Sequence, residues 1–149
     1  MTPQVPRSHL LATRRTHTLH PRPTAAHLSL GHEGERRAAL YLRRKGYRIE
    51  DQNVRVGGVE IDLIARRGRM VIFVEVKTRR SRRFGPPELA VDARKQRKLV
   101  QGALAWLSEK GRGVSHARFD VIAWQVESTS KASETWECRH IEGAFEAGP

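Results

Sequence analysis

The chain has 149 residues, 38% of them apolar, and 28 Lys and Arg against 16 Asp and Glu give a formal net charge of +12. This length suits one ordinary domain, and no apolar run approaches the roughly 18 residues that a membrane-spanning helix needs. The single cysteine, Cys138, excludes an internal disulfide framework and a multi-cysteine zinc site, and suggests a reducing, cytoplasmic setting.

Residues 1–30 carry four Arg, four His and four Pro but no acid. They show no sustained period, so the sequence predicts a disordered basic tail. The tail lacks the apolar h-region of a secretory signal, and Pro21 and Pro23 interrupt the amphipathic helix that a transit peptide needs. A domain over residues 31–145 and a short C-terminal tail, 146–149, follow. A first helix is expected from His32 to about Lys45, stopped by Gly46, with Ala38, Ala39 and Leu42 on one face. Tyr47 to Val56 forms a weakly alternating strand. Val59 to Arg66 and Met70 to Thr78 are the clearest strands, rich in Val, Ile, Leu and Phe. Residues 79–87 read as a loop. A second helix runs from about Glu88 to Lys110, with Leu99, Val100, Ala103, Leu104 and Leu107 as its stripe. Arg118 to Val126 is a strand, Lys131 to Ser133 a loop, and Thr135 to Ile141 a last strand. The order α-β-β-β-α-β-β predicts an α/β or α+β sheet with helices packed against it.

The charge is unevenly placed. Residues 32–113 hold 21 basic and 10 acidic residues, whereas residues 114–149 hold three and six. Such a balance suggests a polyanionic partner, most often nucleic acid, with its site on the middle of the chain.

The two central strands flank Arg67-Gly68-Arg69-Met70, where Gly68-Arg69 fits a two-residue type II′ turn. That turn pairs Arg67 with Met70, and counting back sets Ile64 opposite Phe73, Asp62 opposite Glu75 and Glu60 opposite Lys77. Directly opposed residues share a face, so Glu60, Asp62, Glu75 and Lys77 are expected to cluster. Two opposed carboxylates at about 5 Å repel by about 3 kcal/mol at an effective dielectric near 20. Lys77 offsets part of this, and a divalent cation such as Mg²⁺ or Mn²⁺ would offset more. An exposed Glu75–Lys77 salt bridge is the alternative. Glu35 precedes Ala38, Ala39 and Leu42 by three, four and seven residues, so it shares the core-facing stripe of the first helix and is a further site candidate. A first-turn Glu favoured by the helix dipole is its other reading.

These residues resemble a known pattern. An Asp ending one strand, Glu-x-Lys on its hairpin partner and a Glu on the preceding helix resemble the PD-(D/E)XK nuclease superfamily. More closely, the chain resembles the YraN family of bacterial proteins, related to archaeal Holliday-junction resolvases. The matching stretches are Gly31–Glu35, Glu60–Ala65, Phe73–Arg79, Arg94–Leu99 and Arg118–Ala123. Val59 stands where that family usually has Gly, and the long segment before Gly31 lies outside its pattern. The resemblance implies a restriction-endonuclease-like core, a mixed central sheet flanked by helices. It implies that Asp62 and Glu75 bind a metal ion with help from Glu35, and that Lys77 assists the attacking water or the charged transition state.

The activity so implied is Mg²⁺-dependent hydrolysis of phosphodiester bonds in DNA, including branched DNA. Arg79, Arg80, Arg82 and Arg83 would hold flanking phosphates, joined by Arg94, Lys95, Gln96 and Lys98 from the start of the second helix; a solvated basic loop is the alternative for the arginine run. A homodimer would bring two sites to two strands. The rival functions are a nucleic-acid-binding module that keeps the fold without cutting, and a basic protein that docks on an acidic partner. His32, His116 and His140 have no metal-ligand spacing, Trp106 and Trp124 read as packing residues, Cys138 as a small buried filler and Asp120 as structural.

Overall fold

A computed structural model describes residues 25–80, 86 and 91–148. The elements are α1 (Ala25–Arg44), β1 (Arg48–Val56), β2 (Val59–Arg67), β3 (Met70–Arg79), α2 (Ala93–Lys110), β4 (His116–Ser130) and β5 (Ser133–Phe145). They build one sheet in the order β1-β2-β3-β4-β5. Every neighbouring pair is antiparallel except β3 and β4, which run parallel from Met70↔His116 to Arg79↔Gln125. A parallel pair needs a crossover, and α2 supplies it. The fold is thus α/β, a mixed sheet with helices on both faces, as the sequence predicts.

Alternation along the central strands divides the apolar residues between two cores. Val71 and Phe73 of β3, with Phe119 and Val121 of β4, pack under Leu99, Ala103 and Trp106 of α2. Ile72 and Val74, with Ile122 and Trp124, pack under Ala38, Ala39 and Leu42 of α1. Trp106 and Trp124 are packing residues, as expected. Among the described residues no helix is long and apolar enough to cross a membrane.

Some boundaries differ from expectation. α1 begins at Ala25, so residues 25–30 are helical and not part of a disordered tail; residues 1–24 lie outside the described residues. The earlier positions on the apolar stripe are Gly31 and Gly34, which add no apolar side chains; Gly34 is closely packed, and Gly31 has open space around it. α2 begins at Ala93, five residues after the expected Glu88. Asp92 is its N-cap, with a side chain that accepts the Lys95 N–H at 2.8 Å. β4 and β5 run on as an exposed ribbon beyond the apolar alternation, held by their mutual ladder. Cys138 is half-buried, and burial raises its thiol pKa.

One buried polar network ties α1 to β4 and β5. Asp120 is 1% exposed and stands where the β4–β5 register shifts, opposite residues 142–144. Its Oδ1 accepts from Arg118 Nε at 2.7 Å and Gly143 N at 3.0 Å, and its Oδ2 from Arg118 Nη2 at 2.9 Å. His140 Nε2 lies 2.8 Å from the same Oδ2. The carboxylate only accepts, so the shared proton sits on Nε2. His140 Nδ1 meets Tyr41 OH at 3.3 Å, and Lys45 Nζ donates to that hydroxyl at 3.2 Å. Burial alone would raise the Asp120 pKa, but the hydrogen bonds from His140, Arg118 and Gly143 hold it below the usual carboxylate value. Asp120→Ala is expected to destabilise the domain by about 3 kcal/mol in urea melts at neutral pH, because it leaves Arg118 and His140 without their buried hydrogen-bond acceptor. A loss below about 0.5 kcal/mol, the range of an ordinary surface substitution, would show that the network does not hold the fold.

Candidate active site

The hairpin register is the one that the turn predicts. Arg67 pairs with Met70 and Ile64 with Phe73, and Gly68 has φ +60°, as the first central position of a type II′ turn requires. The ladder stops at Leu63↔Val74. Beyond it β2 rotates: Ile61 and Leu63, two residues apart, lie in opposite cores. Asp62 sits at that rotation, and its Oδ2 accepts the Val76 N–H at 2.8 Å, replacing the lost strand partner.

The rotation corrects one expectation. Glu60 does not join the cluster; it is exposed and pairs with Arg55 across the β1–β2 ladder. Asp62, Glu75 and Lys77 do come together. Glu75 is 4% exposed, and its Oε1 lies 3.0 Å from Lys77 Nζ. Its Oε2 lies 3.3 Å from Lys95 Nζ, yet it has no hydrogen bond of proper geometry. Burial, the charge of Glu75 and, to a smaller extent, the charge of Glu35 raise the Asp62 pKa to about 7, against the opposing effects of the Val76 N–H and Lys95. Glu35 therefore acts on this site from α1 by its charge. Among the described residues no three His, Cys, Asp or Glu side chains form a ready-made metal cage, so the core of the candidate centre is the Asp62–Glu75 pair.

The donor set suits a hard divalent ion. Mg²⁺ takes one or two carboxylates and completes its shell with water and phosphate oxygens. A buried carboxylate oxygen with no hydrogen bond, Glu75 Oε2, is where such an ion would find a ligand.

Two supporting contacts escaped the sequence reading. Lys95 was expected to hold phosphate, but the Asp92 cap places it against Glu75 itself. The signal was Asp-x-x-Lys at the start of an apolar-periodic run. The other contact is Gly34, which lies directly on β3. A Cβ there would come 1.9 Å from Thr78 Oγ1, so only glycine lets this part of α1 settle beside the site. Of the remaining predicted residues, Gln96 is turned away, its amide donating to Val91 O at 3.0 Å. Arg80 is engaged by Glu134 at 2.6 Å. Arg94 and Lys98 are exposed on the first turns of α2, and Arg79 is half-buried. Arg82 and Arg83 lie outside the described residues.

The pattern of the uncharacterised protein family UPF0102 matches residues 34–124, a span that holds Glu35, Asp62, Glu75, Lys77 and Lys95. A UPF0102 protein of Geobacter sulfurreducens is 49% identical over 117 residues, covering 78% of this chain and 88% of that protein. One from Geobacter metallireducens is 45% identical over 118 residues, covering 79% and 93%. One from Symbiobacterium thermophilum is 46% identical over 118 residues, covering 79% and 97%.

The raised Asp62 pKa fixes the sign of a pH effect. Folded Asp62 holds its proton more tightly than unfolded Asp62, so its contribution favours the fold at low pH and is lost as pH rises from about 4 to about 7. In the metal-free protein Asp62→Asn should match the wild type near pH 4 and exceed its stability above pH 7, by the order of 2–4 kcal/mol. Urea melts across that range in a chelator check it. If the variant is less stable at every pH, Asp62 is half of a structural ion pair.

Proposed function

The chain belongs to the uncharacterised family UPF0102, the YraN family of the sequence resemblance, and we propose that it is a divalent-metal-dependent nuclease acting on DNA. One observation carries this reading: Asp62 and Glu75 come together where β2 leaves β3, Glu75 keeps a buried oxygen without a hydrogen bond, and Lys77 stands beside it. Asp62 and Glu75 would hold Mg²⁺ or Mn²⁺, with Glu35 adding negative charge. Such an ion, when bound, polarises a phosphoryl oxygen and lowers the pKa of a bound water.

The protein's own groups supply the rest. Lys77 Nζ, 3.0 Å from Glu75 Oε1, presents positive charge where a phosphorane oxygen gains negative charge. Lys95 is held by the α2 cap and brings a second ammonium group to the same carboxylate. An incoming phosphate that takes this group frees Glu75 for the metal. Arg94 and Lys98 extend the positive surface along α2 for flanking phosphates. The Arg80–Glu134 pair is exposed and therefore worth little, so Arg80 exchanges readily onto a phosphate. The cytoplasm is the matching location, and two copies would serve the two strands of a branched substrate.

A non-cutting DNA-binding module has one observation in its favour: Lys77 and Lys95 already surround Glu75 with positive charge. Linear, single-stranded, flapped and four-way DNA incubated with Mg²⁺ or Mn²⁺ separates the two. The nuclease reading expects cleavage, lost about 10²-fold or more in Lys77→Ala, the scale for removing a group that stabilises transition-state charge. Cleavage should be abolished in Asp62→Asn with DNA binding retained. Binding without cleavage of any substrate in either metal would leave the binding module.

A further inference from the structure

We infer that the end of the sheet opposite the carboxylate pair is a second contact surface for the phosphate backbone of the same DNA duplex. This rests on the proposed nuclease reading and adds to it where the rest of the substrate lies. The surface collects the C-terminus of α1, the β2–β3 turn and the loop after α2. Arg43, Arg44, Arg69 and Arg112 are exposed there, and among the described residues none of their side chains has an ion-pair or hydrogen-bond partner. Of the nearby acids, Glu50 is engaged by Arg48 and Glu142 by Lys45 and Arg118, while Glu109 is exposed on the last turn of α2, three residues before Arg112.

Two further arginines make this surface rigid without neutralising it. Arg66 donates to Gly68 O at 2.9 Å and to Arg112 O at 3.1 Å. Arg67 donates to Lys45 O at 3.2 Å and lies 4.6 Å over the Tyr47 ring. Carbonyls and a ring carry no net charge, so both guanidinium groups keep their full positive charge while they join the three segments. Helix dipoles favour basic residues in last turns, which accounts for Arg43 and Arg44. They do not account for Arg69 in a hairpin turn or Arg112 beyond the end of α2. Arginines without partners at the strand and loop ends, with Glu50 and Glu142 engaged elsewhere, outnumber the remaining acid there and suit a polyanion.

The spacing fits a duplex. Arg69 precedes Glu75 by six residues of β3, about 20 Å at the rise of an extended strand. That is about six base-pair steps of 3.4 Å. A duplex cut at the carboxylate pair reaches the arginine surface only if it continues for that distance.

The test uses the full chain in a chelator, so that binding is read without cleavage. Arg43, Arg44, Arg69 and Arg112 are replaced together by Gln, and the pairs Arg43/Arg44 and Arg69/Arg112 separately, which covers a misfolded quadruple variant. Binding is followed by fluorescence anisotropy as a function of salt, on a duplex of about 20 base pairs and on a hairpin-closed duplex of about six. The quadruple variant should weaken the long duplex at least about tenfold and lower its salt slope by about two to four, while the short duplex changes less than about twofold. Each pair should give part of that drop. Unchanged affinity for the long duplex, or equal loss on both lengths, overturns the inference, as does arginine-dependent binding to polyglutamate without binding to DNA. Cleavage with Mg²⁺ is read separately. Arginine-dependent binding without cleavage refutes the nuclease and keeps this surface, and cleavage with arginine-independent binding does the reverse.

Discussion

Beyond the Leu63–Val74 pair the Val76 N–H has no backbone partner in β2, and the Asp62 carboxylate takes that place. An unpaired buried N–H costs as much as a lost hydrogen bond, so the substitution fixes where Asp62 must lie. It lies beside Glu75, which is itself buried. The two carboxylates then have to share one poorly hydrated space, and burial first, then the charge of Glu75, raises the Asp62 pKa. Lys77 and Lys95 are the response, one from the same strand and one from the capped end of α2. The parting of two strands thus decides which carboxylates meet, and the meeting decides which cations the neighbouring elements must bring.

Two buried carboxylates in adjacent strands show what separates a fully bonded acid from one with bonding capacity to spare. Val74 pairs with Asp120 and Glu75 with Val121, so Asp120 and Glu75 lie one register step apart on opposite faces. Asp120 receives hydrogen bonds on both oxygens from a guanidinium, an imidazole and a backbone N–H, and its pKa is lowered. Nothing remains for it to bind. Glu75 has ammonium groups near both oxygens but leaves Oε2 without a hydrogen bond. Burial is common to both; the difference lies in how completely the lone pairs are used.

The sequence made the hairpin legible because one short turn, Gly68-Arg69, sets the whole register. It could not reveal that the register ends at Leu63. Glu60 was placed with Lys77 by counting in twos, and that period fails where β2 rotates and sends Ile61 and Leu63 into different cores. Asp62, whose carboxylate takes the Val76 N–H, is the one local residue that marks the break. Glu35 was legible from helical spacing, and its charge does bear on Asp62. The early start of α1 was not, because the earlier stripe positions are Gly31 and Gly34, neither of which adds an apolar side chain, and of the two only Gly34 is closely packed. The second role of Lys95 required knowing that Asp92, and not Glu88, begins α2.

The β3–α2–β4 crossover holds the carboxylate pair and the arginine cluster at a fixed separation. β3 runs toward the carboxylate pair, and α2 starts there and returns to the other end, where β4 begins beside the β2–β3 turn. Ser115 and His116 N–H groups both donate to Arg69 O, at 2.8 and 3.3 Å, which locks the α2–β4 loop to that turn. The separation is therefore set by strand length and not by a loop. A polyanion that engages both ends must stay extended over about 20 Å. A DNA duplex does so without strain, since its persistence length is about 50 nm, whereas a single strand would have to be held straight at an entropic cost. On the proposed nuclease reading, a rigid scaffold with charge at its two ends would thus favour a duplex over a single strand before any base is read.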